Sequence, residues 1–356
     1  ANIGLEYLEH SKGEYQYLHP NNDVNMSQST NDVYPTAIKV GLIAAIAQLN
    51  TPFENLIQSF KHKSDEFSDI LKMGRTQLQD AVPMTLGQEF GAFGNTLQSD
   101  LNRLNQIMPD ALSVVNLGGT AIGTGINTEV QYREYAIASL SEMTQRNMSS
   151  APDLIEATSD MGDFVLLSSL LKRTAIKLSK ISNDLRLLSS GPRAGLNEIH
   201  LEPRQPGSSI MPGKVNPVIP EAMNLVCFQV IANDLAITLA AEAGQLQLNA
   251  MEPLIAFKLF ESIDLLGKAM QMFQHKCIEN IRANAEHCQA LVENSIGIIT
   301  ALNPYLGYET TTRIAKLANE SGQNVLALIK AENLPSDQIL SDVFAVNNLI
   351  QPKHCP

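Results

Sequence analysis

Three polar segments of the sequence carry side chains suited to binding an anion and stabilising negative charge. They read NMSQSTNDVYP, GRTQLQD and GSSIMPGKVNP, and each lies between long apolar stretches. Hydroxyl, amide and ammonium groups bind carboxylates and stabilise developing oxyanions. No GxSxG elbow accompanies them, and no His–Asp set is apparent, which argues against a serine hydrolase. The candidate residues are Ser29, Thr30, Asn31, Thr76, Gln77, Ser208, Ser209, Lys214 and Asn216.

Two of the three segments also have a purely structural interpretation. Ser29, Thr30 and Asn31 directly precede an apolar periodic stretch with Pro35 in its first turn, the pattern of a helix N-terminus. Thr76 could likewise cap a helix that begins near Pro83. The third segment differs, because a serine pair and a lysine among prolines have no obvious capping or packing role. Function is therefore favoured for the four residues singled out in 208–216, which are Ser208, Ser209, Lys214 and Asn216.

The spacing of the histidines and cysteines indicates no metal site. The seven histidines are scattered without ligand spacing, and the four cysteines form no CxxC pair. Free thiols in a reducing cytoplasm are the expected state of these cysteines, which favours a cytoplasmic protein.

The elements that position these segments are predicted to be helices. Apolar residues recur three and four apart from Leu42 to Phe60, although Pro52 could kink that helix. The same spacing runs from Phe164 to Leu188, and long helices are also predicted within 85–115 and 221–290. No segment shows sustained alternation flanked by hairpin turns. The predicted fold class is therefore all-α, with a long central helical bundle.

The breaks between helices suggest the domain organisation. NLGGTAIGTGINT, residues 116–128, is rich in glycine, and no helix can cross most of the proline-rich connection 191–221. Loops of that length inside compact domains are usually functional. From about residue 290 the pattern changes to short helical stretches. We expect a remnant of an N-terminal domain at 1–30, a central helical domain at 31–288 and a small C-terminal domain at 289–356.

Composition narrows the possible partners. The formal net charge of −12 disfavours nucleic acid and anionic membranes, and the aromatic content of 5% disfavours base-stacking surfaces. The sequence contains no uninterrupted run of 18 apolar residues, so it predicts no transmembrane helix. Only 17% of residues are charged, which is low for a soluble chain and indicates surface covered by other subunits.

The polar segments resemble the motifs of the aspartase/fumarase superfamily. GSSIMPGKVNP is similar to the signature of that family, and the similarity extends to NMSQSTNDVYPTA, GRTQLQDAVPMTLGQEF, GGTAIGTGIN, LSKISNDLRLLSSGPRAGLNEI and AEAGQLQLNAMEP. The resemblance covers essentially the whole chain. It implies a helical-bundle homotetramer whose active sites draw loops from three subunits, and an elimination that forms fumarate without an organic cofactor.

The resemblance also implies a role for each candidate residue. Ser208 would be the general base in a mobile loop with hinges at Gly207 and Gly213. A group of hydroxyls would hold the β-carboxylate, a second group would hold the α-carboxylate, and two amides would contact the departing amine. The β-carboxylate group is Ser29, Thr30 and Ser209. The α-carboxylate group is Thr76, Lys214 and Asn216, and the two amides are Asn31 and Gln77.

Within the superfamily the motifs are closer to the ammonia-eliminating branch, which acts on L-aspartate. Class II fumarases typically have a histidine where Gln77 stands, and a GxFELN-type stretch in place of GQLQLN. Glu221 matches the glutamate that pairs with that histidine, so we expect only a structural or secondary role for it. Family members also carry a GAGTS-like loop upstream of the first residue here. We therefore expect that this chain lacks its N-terminal region. Two alternatives stay open, which are an inactive oligomeric scaffold and a class II fumarase.

Overall fold

Helices dominate the computed structural model, which describes residues 1–207, 209–332, 334 and 336–350. The predicted all-α fold class is confirmed, with three small two-stranded sheets in addition. The helices are α1 (Asn2–Tyr7), α2 (Thr30–Glu66), α3 (Leu86–Ser113), α4 (Tyr132–Thr144), α5 (Leu154–Ser159), α6 (Gly162–Leu188), α7 (Val218–Glu242), α8 (Glu252–Lys276), α9 (Ala285–Asn294), α10 (Asn303–Ser321), α11 (Val325–Ala331), α12 (Asp337–Val343) and α13 (Val346–Leu349).

The strands are short and join segments that lie far apart in the sequence. β1 pairs antiparallel with β2, β3 parallel with β4, and β5 antiparallel with β6. A π-helical turn at Pro20–Val24 and 3₁₀ turns at Ile278–Asn280 and Ile296–Leu302 complete the elements. The strands are β1 (Leu71–Thr76), β2 (Gln79–Thr85), β3 (Val114–Val115), β4 (Ser149–Ser150), β5 (Ile199–His200) and β6 (Arg282–Ala283).

The predicted apolar stripes are the buried faces of the long helices. Every stripe position of α2 and of α6 is buried, including the single polar member, Thr174. Pro52 does not interrupt α2, which continues through it to Glu66. Two expected boundaries differ: residues 79–85 form β2, so α3 begins at Leu86 rather than near Pro83, and α7 begins at Val218.

The chain divides into two compact units, and the five longest helices each contribute residues to both. Unit 1 comprises residues 1–51, 100–176 and 226–267, and unit 2 comprises residues 52–99, 177–225 and 268–356. The predicted division at residues 30 and 288 stays a prediction.

Polar pairs between helices accompany the apolar core of unit 1. Asp234 on α7 accepts hydrogen bonds from Ser168 and Lys172 on α6, at 2.8 and 2.6 Å. Asn233 donates to Ser262 on α8 at 3.1 Å. Because Asn233 and Asp234 are buried, these partners offset the cost of removing them from water and fix how the helices align.

Unit 2 contains two apolar clusters. Phe60, Phe67, Phe90, Phe93 and Phe273 pack with ring centroids 5.2–6.4 Å apart, mostly edge to face. The second cluster joins Leu71 and Met73 of β1 to buried side chains of residues 292–343. The hairpin β1–β2 is thus built onto the same core as the C-terminal helices.

Candidate active site

The first polar segment forms the start of α2 and is stabilised by Asp32. Ser29 Oγ accepts a hydrogen bond from the backbone N–H of Asn31 at 3.2 Å, and the N–H of Ser29 donates to Asp32 Oδ1 at 3.0 Å. This reciprocal arrangement is a capping box with aspartate as the acidic member. The helix-start interpretation of Ser29–Asn31 is therefore confirmed, and it does not conflict with a binding role.

The same helix start anchors the glycine-rich loop 116–128. Asp32 Oδ2 accepts the backbone N–H groups of Gly118 and Thr120, both at 3.0 Å. Asn31 Nδ2 donates to the carbonyl of Ala121 at 2.7 Å. The loop and the start of α2 therefore form one rigid polar surface in unit 1.

Close packing explains why this loop needs glycine. Gly123 has φ +95°, and a Cβ there would lie 2.4 Å from backbone atoms of Leu154 and Ile155. Both the dihedral angle and the contact exclude larger residues.

Ser29 and Thr30 face one cavity of unit 1. Its volume is about 540 Å³, and its lining includes Asn21, Asn25 and Gln28. Ser29 is half-buried and Thr30 is exposed. The cavity wall thus offers hydroxyl and amide groups and no carboxylate, a donor set that suits an anionic ligand.

The second segment lies at the tip of a β-hairpin in unit 2. Thr76 pairs with Gln79, and Gln77 and Leu78 form the two-residue turn at φ 55° and 62°. Positive φ at both turn residues is typical of a type I′ hairpin turn. Thr76 and Gln77 are exposed at this tip. The interpretation of Thr76 as a cap for α3 was therefore wrong, because the chain forms a strand as far as Thr85.

Buried ion pairs hold the base of this hairpin. Arg75 Nη1 lies 2.6 Å from Glu198 Oε1, and Lys72 Nζ lies 2.9 Å from Glu198 Oε2. The Glu198 side chain is completely buried. The hairpin tip is therefore carried on a rigid charged base rather than on a free loop.

The second half of the third segment, residues 213–217, lines a second cavity in unit 2. The cavity measures about 470 Å³, and Lys214 and Asn216 line it together with Arg186, His200 and Asn197. Three of these five side chains are cationic or can become so, and no aspartate or glutamate belongs to the lining. Such a cavity attracts a dianionic ligand in a chain whose net charge is negative.

The loop that carries Lys214 closes on itself. Gly207 approaches the carbonyl of Lys214 so closely that a Cβ there would lie 2.3 Å from the oxygen, and Gly213 adopts φ +80°. Ser209 is exposed in the turn that follows Gly207. Ser208, the predicted base, lies outside the described residues.

Glu221 lies close to this cavity, in the first turn of α7. Its Oε1 is 4.0 Å from Arg186 Nη2, and Arg186 Nη1 also donates to the Oδ1 atom of Asn224 at 3.3 Å. The buried Asn224 is in turn fixed by donating to Ser179. Glu221 thus helps to hold a cation at the cavity wall.

The structure brings the candidates together in three groups. Ser29, Thr30 and Asn31 adjoin in unit 1, whereas unit 2 holds the tip residues Thr76 and Gln77 and the loop residues Ser209, Lys214 and Asn216. Asp32 and Glu198, two buried carboxylates that position these groups, were not among the predicted site residues. A capping-box spacing from Ser29 to Asp32 could have identified Asp32. Glu198 lies within the motif LSKISNDLRLLSSGPRAGLNEI, which gives no indication of its ionic partners.

Two buried cysteines, Cys277 and Cys288, are unreactive as nucleophiles. Burial raises the pKa of Cys277 and of Cys288 to about 12, so both thiols stay protonated at neutral pH. In the described part of the chain, Cys227, Cys277 and Cys288 are buried and form no disulfide. The described residues also contain no group of three or more His, Cys, Asp or Glu side chains that could hold a metal ion.

Two helices, Thr30–Glu66 and Val218–Glu242, are long and apolar enough to cross a membrane by length and composition. Core helices of soluble proteins meet the same two criteria, so this is weak evidence for a membrane span.

Comparison with known proteins gives consistent relatives over the whole chain. The sequence profile of a family described as Lyase matches residues 2–232, and that of a family described as Fumarase C C-terminus matches residues 298–351. Aspartate ammonia-lyase of Pseudomonas aeruginosa is 63% identical over the entire chain, which covers 75% of that protein. Aspartate ammonia-lyase of Escherichia coli is 52% identical over 99% of the chain and 74% of that protein.

Solved structures agree with these relatives. A fumarate lyase:delta crystallin from Brucella melitensis, solved bound to cobalt, superimposes with a TM-score of 0.95 at 52% identity, over 99% of this chain and 76% of that one. A class II fumarase from Schistosoma mansoni gives a TM-score of 0.85 at 32% identity, over 92% of this chain and 72% of that one. The chain therefore belongs to the aspartase/fumarase superfamily of lyases, within the family of the aspartate ammonia-lyases.

Proposed function

We propose that this enzyme catalyses the reversible deamination of L-aspartate to fumarate and ammonia. The observation that carries the proposal is the cavity of unit 2, which presents Arg186, Lys214 and Asn216 to a ligand without any carboxylate in its lining. L-Aspartate carries two carboxylates, and a carbon–nitrogen lyase of this family must hold both. Membership of the aspartate ammonia-lyase family supports the same substrate.

The difficult step is removal of a proton from C3, the carbon beside the β-carboxylate. Ser208, as an alkoxide stabilised by Lys214 and backbone N–H groups, takes this proton. The electron pair moves onto the β-carboxylate and gives an aci-carboxylate with two negative charges. Donors placed where this charge develops lower the barrier, because they bind the intermediate more tightly than the substrate.

The second step breaks the C2–N bond. The electron pair returns from the aci-carboxylate to form the C2=C3 double bond, and the ammonium group takes the electrons of the C–N bond and leaves as ammonia. Asn31 and Gln77 contact this amine. Because Asn31 Nδ2 already donates to Ala121, its Oδ1 atom is the acceptor that can face an ammonium group.

The two carboxylates are held by different groups. Ser29, Thr30 and Ser209 bind the β-carboxylate, and Thr76, Lys214 and Asn216 grip the α-carboxylate. Asp32 keeps Ser29 in place through its 3.0 Å bond from the backbone N–H. No organic cofactor takes part in this sequence of steps.

Several copies of the chain supply each active site. The groups at Ser29, at Thr76 and at Lys214 come from three subunits of a homotetramer in this proposal. An exposed apolar face on α7 supports it, because Phe228, Leu235 and Leu239 are 56%, 61% and 60% exposed. Such a face is typical of subunit interfaces. We place the enzyme in the cytoplasm, in keeping with its buried reduced cysteines.

A direct assay tests the substrate. The enzyme is incubated with L-aspartate, L-malate and argininosuccinate side by side, and fumarate formation is followed by absorbance. We expect fumarate from aspartate alone. Fumarate from malate and not from aspartate would identify a class II fumarase, and no fumarate from any of the three would identify an inactive scaffold; either result overturns the proposal.

A further inference from the structure

A buried ionic network lies beneath the hairpin that carries Thr76 and Gln77. Lys72 Nζ lies 2.6 Å from Glu89 Oε2 and 2.9 Å from Glu198 Oε2, while Arg75 Nη1 lies 2.6 Å from Glu198 Oε1. The Glu198 side chain is 0% exposed and that of Lys72 is 3% exposed. Two cations and two carboxylates thus neutralise one another inside unit 2.

Stability alone does not account for this network. Removing charges from water costs several kcal/mol per ion, and apolar residues of similar size often stabilise such a site equally well or better. A buried ionic network instead favours one geometry, because each buried charge must lie beside an opposite charge. The geometry that this network specifies is therefore the informative property.

A β-bulge interrupts the hairpin between the two cations. The pairing register shifts between Met73 and Arg75, where the single residue Gly74 of β1 stands opposite two residues of β2, Ala81 and Val82. A Cβ at Gly74 would approach the Val82 carbonyl to 2.8 Å, so the two strands lie close together there. Lys72 and Arg75, on either side of this point, both contact Glu198.

Glu198 also lies at the root of the loop that carries Lys214. Its backbone N–H donates to the carbonyl of Leu188 at the end of α6, and its carbonyl accepts the N–H of Asn284, both at 2.9 Å. β5 follows directly and pairs with β6, after which the chain enters residues 201–217. The carboxylate and the backbone of one residue thus fix the hairpin base and the loop root together.

We propose that Glu198 is a positioning residue for the elimination, acting through Arg75 and Lys72 on the hairpin tip that carries Thr76 and Gln77. The inference rests on the function proposed above, since it concerns the same substrate contacts. Glu198 touches no substrate. It fixes the base of the hairpin to the core of its own subunit, and a tip displaced by about 1 Å loses substrate affinity and rate.

Glu198→Gln tests this role, with Glu89→Gln as the matched control. Both variants remove one carboxylate that contacts Lys72, but only Glu198 contacts Arg75 beside the tip. We expect Glu198→Gln to raise KM for aspartate by about tenfold, the size of effect expected for misplaced charge-assisted contacts, and Glu89→Gln to change it less than about threefold. Equal changes in KM for the two variants would overturn the proposal.

A double-mutant cycle separates positioning from general destabilisation. In a Thr76→Ala/Gln77→Ala background both tip contacts are already lost, so Glu198→Gln should raise KM by less than about threefold there. If the two effects on KM multiply instead, Glu198 does not act through the tip. If Glu198→Gln fails to fold, Arg75→Gln replaces it in the cycle, because Arg75 is partly exposed and its substitution removes the ion pair between Glu198 and the strand beside the tip.

The outcome also distinguishes this inference from the proposed function. A wild-type enzyme that forms no fumarate from aspartate contradicts the proposed function itself. A wild-type enzyme that forms fumarate, together with multiplying effects of Glu198→Gln and of Thr76→Ala/Gln77→Ala, contradicts only the positioning role.

Discussion

Asp32 shows how one buried side chain can organise a binding surface. Its two oxygens accept N–H groups from Ser29, Gly118 and Thr120, all at 3.0 Å. Charge-assisted bonds to backbone N–H groups are stronger than neutral ones. The hydroxyl of Ser29 and the glycine-rich loop are therefore preorganised before any ligand arrives.

Glu252 is a buried carboxyl group of a different kind. It is 4% exposed, and its Oε1 atom has no hydrogen-bond partner among the described residues. Burial raises the pKa of Glu252 from 4.5 to about 7. The folded chain thus holds this proton more tightly than the unfolded chain does.

The raised pKa of Glu252 predicts a loss of stability with rising pH. Its contribution is fully present below pH 4.5 and is lost as the pH rises through about 7, because ionisation then costs the folded state alone. Glu252→Gln should flatten the dependence of the free energy of unfolding on pH in this window, as measured by denaturant titration.

Glu261→Gln is the matched control for Glu252. Hydrogen bonding and charge from Lys258 lower the pKa of Glu261, so its titration falls below pH 4.5. The Glu261 variant should keep the slope of the wild type between pH 5 and 8. An unchanged slope in Glu252→Gln would contradict the burial argument.

At the scale of elements, the glycine-rich loop depends on Gly123. A substituted Cβ would meet the backbone of Leu154 and Ile155 at 2.4 Å, whereas Gly13, at a similar φ of +89°, has open space around it. We expect Gly13→Ala to cost about 1–2 kcal/mol for the left-handed backbone alone. Gly123→Ala should cost about 1–3 kcal/mol more for the steric overlap.

Chemical denaturation of the two glycine variants measures this difference. Hydrogen exchange of residues 116–125 adds a local readout, since Gly123→Ala should accelerate exchange there and Gly13→Ala should not. Equal losses of stability in both variants would show that the packing against Leu154 contributes nothing.

The helices could be predicted from the sequence, whereas the hairpin could not. Apolar spacing from Leu42 to Phe60 and from Phe164 to Leu188 identifies faces that are buried throughout. The stretch 71–85 gives no such signal, because its turn residues are Gln77 and Leu78 rather than the Asn-Gly pair typical of type I′ turns.

Local patterns recover the candidate site only in part. The donor-rich segments stand out because hydroxyl and amide groups cluster at breaks between helices. Glu198 lies in one of the quoted motifs, but its contacts cannot be predicted from it, since the partners Lys72 and Arg75 lie more than 100 residues away in sequence. Contacts of that kind follow from tertiary packing, which no local spacing encodes.

At the scale of the whole molecule, the exposed face of α7 predicts assembly. Phe228→Asp places a charge in the centre of this face and should dissociate the proposed tetramer, because burying an unpaired carboxylate is costly. Met143→Asp is the control, since Met143 is 83% exposed on α4.

Analytical ultracentrifugation of both variants gives the masses, and fumarate formation gives the activity. We expect Phe228→Asp to lose the wild-type mass and most of its activity together, because each site of the proposed tetramer draws on several subunits. A Phe228→Asp variant with the mass and activity of the wild type would contradict this assembly.

The central claim is elimination of ammonia from aspartate with Ser208 as the base. The most direct test is the rate of fumarate formation from L-aspartate by Ser208→Ala, measured beside the wild type at matched oligomeric state. We predict a loss of at least about a thousandfold, as expected for removal of a group that transfers the proton, with binding of the substrate retained. A Ser208→Ala enzyme that keeps its rate within about tenfold of the wild type would contradict the account.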